Sequence, residues 1–322
     1  MESLQTIQSK EMVEIQSQAI ALNHTGNSIK ILSKEEIFKL IDVHEPYYAL
    51  KDVIVYAGNF ATASIEVEQP LGDEIFPIGA AEACRHLAIL GSVCCALSNP
   101  VKQKHYYLAH RGTYKRAIEK THYTGKKLVA TATCTFFSKR MANIKACLLD
   151  EDNQLICGIE NSFHVVPHAI FERLYYNFHK EIPDFGLKNP YHQKKQLFDV
   201  QFSALSASAS LGKIQDDYCA GHFPHFPAMP VAILMNTLLD LAAAYIHHIT
   251  DDKSLKMYVR EMTLLADNLG FSGEIVVLHV KQEAYTNNRF KLRCTATSTD
   301  NKSVGDVNVI IETAAFTDLT LE

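Results

Sequence analysis

The chain has 322 residues, 47% of them apolar and 21% charged, with a formal net charge of -5. That length suggests about two domains, each able to bury a core, and the apolar share excludes a disordered chain. A mildly acidic balance without a basic tract gives no electrostatic basis for binding nucleic acid or an anionic membrane.

No uninterrupted apolar run reaches the roughly 18 residues of a membrane span. The polar N-terminus, MESLQTIQSKEMVEIQSQ, lacks the order of a secretory leader. The eight cysteines form no CxxC pair and lie mostly inside apolar segments. A zinc or disulfide framework is not expected, and a reducing cytoplasm is the expected compartment. His105, His110 and His122 form the densest histidine group, but with no paired cysteines or HExxH spacing they are not assigned a metal.

Residues 1–32 read as a polar lead-in. Ser33-Lys34-Glu35-Glu36 spells a capping box before Ile37, Leu40 and Ile41, which starts a short helix. Val53 to Glu68 is rich in β-branched residues and reads as one or two strands. Ile78 to Leu97 is apolar, rich in small residues and nearly without a polar face, the mark of a buried helix. Strand-like runs follow at Lys127–Ser138, Ala142–Asp150 and Leu155–Val166, with turn chemistry at Asp150 to Asn153. Pro167–Gln196, with three prolines and a glycine, reads as a crossover linker.

The same order then returns. Phe198–Ile214 is strand-like, Val231–Ile246 is a second buried helix, and Leu255–Leu265, Glu274–Thr286, Phe290–Ser298 and Val304–Phe316 are strands. Turns fall at Asn287-Asn288 and Thr299-Asp300-Asn301. We read a tandem duplication, with repeats at 33–166 and 197–322 joined by 167–196; two unrelated α+β domains are the alternative. A sheet curling around one apolar helix buries both surfaces, and two such units pair edge to edge to close two open edges.

The segment richest in chemistry is Gly221-His222-Phe223-Pro224-His225-Phe226-Pro227-Ala228-Met229-Pro230, directly before the second helix. Three prolines stiffen the loop and hold a histidine beside a helix start, where free N–H groups can polarise a carbonyl. GHFPxxPxMP followed by a buried helix resembles the signature of the β-hydroxyacyl-thioester dehydratases of fatty-acid synthesis. The resemblance implies an α+β double hot-dog fold, with two antiparallel sheets each wrapped around a buried central helix. It also implies a hydro-lyase making a trans-2-enoyl thioester, in fatty-acid or polyketide-type biosynthesis.

In that family the histidine works with an acid fourteen positions later, in a pattern like (E/D)xxx(Q/H). Here that position is Asn236, with Asp240 as its companion, so the second repeat lacks a proton donor. The first repeat has Glu82 and His86 in that pattern, but its loop, Gln69 to Ile78, has no histidine. The complementary losses imply one composite site, with His222 as base and Glu82 as acid, and a vestigial site at Asn236 and Asp240. Gly79, His86, Phe223, Pro230 and Val231 are the expected substrate contacts; Val231 stands where the family has glycine.

Plainer roles compete. Glu82 could pair with Arg85 or His86 along its helix, and His222 could be a satisfied loop histidine. His225 reads as a spacer and Asp240 as a buried hydrogen-bonding residue, while Tyr106, Tyr107 and Tyr258 pack the sheet. The resemblance implies no cofactor and no metal. The acyl group would come from an acyl carrier protein or coenzyme A, to a monomeric pseudo-dimer or a homodimer. A thioesterase on the same fold, or a non-catalytic acyl-binding or scaffold subunit, is the alternative.

Overall fold

The computed structural model describes residues 29–56, 59–117, 127–181 and 189–314. The lead-in expectation for 1–28 and His122 lie outside them. The capping box forms as read: the Ser33 hydroxyl accepts from the Glu36 N–H, and the Glu36 carboxylate accepts from the Ser33 N–H, opening α1 (Lys34–Leu40). The two apolar runs become α2 (Ala80–Ser98) and α4 (Val231–Thr250). The linker carries a third helix, α3 (His168–Leu174).

The strands of the first half are β1 (Ile29–Ile31), β2 (Leu50–Tyr56), β3 (Phe60–Ile65), β4 (His105–Arg116), β5 (Leu128–Phe137), β6 (Met141–Leu149) and β7 (Leu155–Pro167). Those of the second are β8 (Phe198–Phe202), β9 (Ser206–Lys213), β10 (Ala228–Met229), β11 (Lys256–Leu265), β12 (Gly270–Phe271), β13 (Ile275–Thr286), β14 (Arg289–Ser298) and β15 (Ser303–Ala314). Four differ from the sequence reading: β1, β4 and the short pair β10 and β12. β1, taken as part of a structureless lead-in, pairs with β2. β4, not read as a strand at all, is hydrogen-bonded on both sides, to β7 and β11.

At that pairing the two expected sheets join edge to edge into one. One continuous 13-stranded antiparallel sheet runs β1-β2-β3-β5-β6-β7-β4-β11-β15-β14-β13-β9-β8. Read outward from the β4–β11 junction, the two halves repeat the same order: β7, β6, β5, β3, β2 on one side and β15, β14, β13, β9, β8 on the other. Closing the junction removes two strand edges from solvent. α2 packs on the strands of the first half, α4 on those of the second, and the helices touch each other. One cluster of buried apolar side chains runs through both halves.

α2 and α4 reach membrane-span length with mean hydropathy of 1.3 and 1.2, but 83% and 67% of those windows are buried by the sheet and by each other. Their apolarity is used by the core. α2 lies closest to the sheet at Gly91, where an added Cβ would stand 2.1 Å from Ile144 Cδ1 and 3.0 Å from its Cγ1. Alanine favours a helix over glycine by about 1 kcal/mol, but overpacking a core costs about 1–3 kcal/mol. Gly91→Ala is therefore expected to lower the urea midpoint, and adding Ile144→Val to restore part of it. A rise in the midpoint for Gly91→Ala alone would show that α2 does not sit this close to β6.

Candidate active site

The loop 221–230 is built by both halves. Gly221 has φ +77, and a Cβ there would lie 2.3 Å from the His44 carbonyl oxygen, so only glycine fits. The His44 N–H donates to the Gly221 carbonyl at 2.7 Å and the Phe223 N–H to the Asp42 carbonyl at 3.2 Å. Phe223 is wedged edge-on against Tyr106 and Phe171, at 5.0 and 5.4 Å between ring centres. At its far end, β10 pairs with β12. The expected stiff loop is thus pinned by residues more than 170 positions away as well as by its prolines.

His222 is half-buried in this seam. Its Nδ1 is 2.8 Å from the Ala228 carbonyl oxygen. A carbonyl can only accept, so Nδ1 carries the proton and, in the neutral ring, Nε2 is bare. The ring stacks on Phe223 at 3.9 Å and meets Tyr47 edge-on at 5.1 Å. Burial pushes its pKa down to about 4, against the opposing effects of the Ala228 hydrogen bond and the Asp42 charge. At neutral pH it is an uncharged base.

His222 faces a cavity of about 280 Å³ between α2, α4 and the central strands. Phe223, Met229, Val231, Ala232 and Met235 line it from the second half; Tyr47, Cys84, Ala88, Tyr107, Tyr114 and Asn161 line it from the first. Asp42 is also in the wall. Burial would raise its pKa, but hydrogen bonds from His44, Tyr106 and Lys104 hold the carboxyl well below the usual range. The cavity is lined mostly by apolar side chains, with a neutral base in its wall.

The structure brings His222, Phe223 and Val231 together at this cavity. It does not bring Glu82 there. Glu82 is fully buried, and its Oε1 accepts from the Glu68 and Gln69 N–H groups at 2.6 and 3.1 Å. His86, also fully buried, stands 3.5 Å from that oxygen. The residues of α2 in the cavity wall are Cys84, Ala88, Ile89 and Ser92. Glu82 lies in the first turn of α2, is not among these wall residues, and has its carboxylate turned to the Glu68 and Gln69 backbone instead. The expected His222–Glu82 pocket is corrected accordingly.

The sequence reading did not single out Cys84. Counted from the N-caps, Asn236 lies six residues beyond Pro230 and the residue six beyond Gly79 is Arg85, so position along the helix does not mark Cys84 either. Burial pushes the Cys84 thiol well up, so it stays protonated. Asp42 and Tyr47 carried no motif that could have marked them.

Gly79 caps α2 and Pro230 caps α4, neither with a side-chain hydrogen bond. The Ala80 N–H at the start of α2 donates to Glu74 at 2.9 Å. Burial pushes the Glu74 carboxyl up to about 7, against that hydrogen bond, and the Asp240 charge adds to the rise. Asp240 itself is half-buried and ion-paired with Lys194. Tyr106 is buried in β4 as expected, and its hydroxyl also donates to Asp42 at 2.7 Å. His105 bonds the Gln103 carbonyl and His110 lies 3.6 Å from Asp267.

No known family profile matches the sequence, and no curated protein matches it. Solved structures do match. The tesB protein of Mycobacterium avium subspecies paratuberculosis superposes with a TM-score of 0.53 at 9% identity, over 82% of this chain and 96% of that one. A protein of unknown function with a hot dog fold from Alicyclobacillus acidocaldarius gives 0.51 at 12%, over 83% and 96%. The fold is the hot-dog fold. An acyl-CoA thioesterase II from Mycobacterium marinum gives 0.50 at 12%, over 88% and 98%. At such identities the shared feature is the hot-dog architecture, not the chemistry.

The depressed His222 pKa has a consequence for stability. Between about 4 and the unfolded value near 6.5, the unfolded chain binds a proton at this position that the folded chain refuses. Stability therefore falls as the pH drops through that window. The slope of Tm between pH 7 and 5 is expected to be steeper in the wild type than in His222→Gln. Equal slopes would show that the ring titrates normally in the fold.

Proposed function

We propose that the protein is a double hot-dog enzyme that acts on an acyl thioester, by dehydrating a β-hydroxyacyl thioester or hydrating the enoyl product, with His222 as the base. The observation that carries this is the bare Nε2 of a neutral, hydrogen-bond-oriented imidazole at an apolar cavity. The GHFP loop supports dehydration over other thioester chemistry. The two repeats, 33–166 and 197–322, would be products of duplication, so that a monomer is self-sufficient. The acyl group would arrive on an acyl carrier protein or coenzyme A, in a reducing cytoplasm.

With Glu82 turned away, one base serves both proton transfers. His222 Nε2 removes the α-proton, and the Nδ1–H stays on the Ala228 carbonyl. The electron pair forms the C=C bond as the β-carbon–oxygen bond breaks. The imidazolium returns its proton to the departing hydroxyl, and water leaves. Val231 opens α4 in the cavity wall, so that helix start is positioned to polarise the thioester carbonyl. The α2 start is already engaged by Glu74.

Hydrolysis of the same thioester is the second reading. It is favoured by the absence of Glu82 from the cavity wall, since a base with water is sufficient. Purified protein given β-hydroxyacyl and enoyl thioesters distinguishes the two: a change in enoyl absorbance marks hydro-lyase chemistry, and release of free thiol marks hydrolysis. His222→Gln is expected to lower kcat/KM by about 10²–10⁴. The wild-type rate should hold from neutral pH down to near 5 and fall as the pH approaches about 4. Turnover unchanged in His222→Gln would remove His222 from the chemistry and favour an acyl-binding or scaffold role.

A further inference from the structure

In the first two turns of α2, among residues that do not line the cavity, lies a second cluster of chemically capable side chains. Glu82 and His86 are one helical turn apart and both 0% exposed. Glu68, just beyond β3, reaches the same place, and one donor atom from each of the three falls within 4.8 Å of the others. Their hydrogen bonding is incomplete. Glu82 Oε2 and both ring nitrogens of His86 are buried with no hydrogen-bond partner; the 3.5 Å between His86 Nε2 and Glu82 Oε1 is long for one. Burying such atoms unpaired forfeits their hydration with nothing in return, so a fold that gathers three of them needs something to complete them.

The remaining contacts set the charge. Arg85 donates to the Pro46 and Tyr47 carbonyls and lies 2.9 Å from Glu68 Oε2. Glu68 Oε1 accepts from Asn189 Nδ2 at 2.9 Å. The guanidinium balances one of the two carboxylates. The second carboxylate, Glu82, faces the His86 ring instead, and an imidazole with a carboxylate is a donor set for a cation.

We propose that Glu68, Glu82 and His86 bind a divalent cation of the zinc class at the root of α2. Three protein donors of mixed nitrogen and oxygen type suit zinc, with a water molecule completing four-coordination. The site would fasten the end of β3 to the first two turns of α2. Those turns carry Cys84 into the cavity wall, so the cation would act on stability and on cavity shape without touching substrate. This inference is independent of the proposed reaction.

The test uses the full chain expressed with zinc in the medium and analysed for metal after gel filtration. About one zinc per chain is expected in the wild type, falling below about 0.2 in His86→Gln and Glu82→Gln, because each removes a donor. His225→Gln is expected to keep its zinc, which rules out the exposed group His179, Glu181 and His225. Loss of a buried donor can also unfold a chain, so the wild type supplies an independent arm. Refolded from chelator with Co²⁺, it should show the visible bands of a four-coordinate site and a higher Tm than when refolded without metal. A wild type that takes up neither metal, or zinc retained in both buried variants, would overturn the proposal.

Discussion

The molecule depends on one ladder. Arg111 to Lys115 of β4 pair in antiparallel register with Leu265 to Glu261 of β11, and this junction turns two half-sheets into one. Without it each half would present an open edge, and the loop carrying His222 would have no Asp42–His44 backbone to lie against. The base owes its orientation to Ala228 in its own half and part of its desolvation to Tyr47 in the other. The candidate site therefore exists only when both halves are joined.

Duplication of a backbone did not duplicate the chemistry. At one crossing the loop offers a neutral imidazole and the facing helix offers Cys84 and Ala88. At the other the loop offers Glu74, tied to the Ala80 N–H, and the facing helix carries Asn236 and Asp240, the latter held by Lys194. Each crossing keeps a different polarity. The first leaves a base in an apolar space; the second ties its acids to a helix start and an ammonium group.

Much of the fold was legible because its strongest signals are local. The capping box at Ser33, the two unbroken apolar helices and the turns at Asn287-Asn288 each specify their own structure within a few residues. β4 was illegible because its burial is not local. HYYLAHRGTYKR carries basic residues into the middle of a sheet, where Lys115 meets Glu261 of β11 at 3.9 Å. That partner lies in the other repeat, so no window around β4 contains it. Edge-to-edge pairing of the halves was expected, but not which strands meet, since pairing between distant strands leaves no pattern in either.

The candidate site was half legible. The loop motif marked His222 correctly as a cavity residue, because proline spacing and a helix start are sequence-local. Glu82 was selected by residue type and spacing to His86, a pattern that says which residues share a helix face but not which way that face points. Which of these side chains reaches the cavity is set by how α2 packs against the rest of the fold. Asp42 and Tyr47 enter the site through tertiary packing alone.

The most direct test of the central claim is the tautomer of one ring. Nitrogen-15 spectra of the imidazoles, with His222 assigned by its absence in His222→Gln, report which nitrogen carries the proton and at what pH the ring charges. The account predicts a proton on Nδ1, a bare Nε2, no charging until the pH nears about 4, and a shift of the Nε2 signal when an acyl-thioester analogue fills the cavity. A proton on Nε2, or titration near an ordinary 6.5, would contradict it.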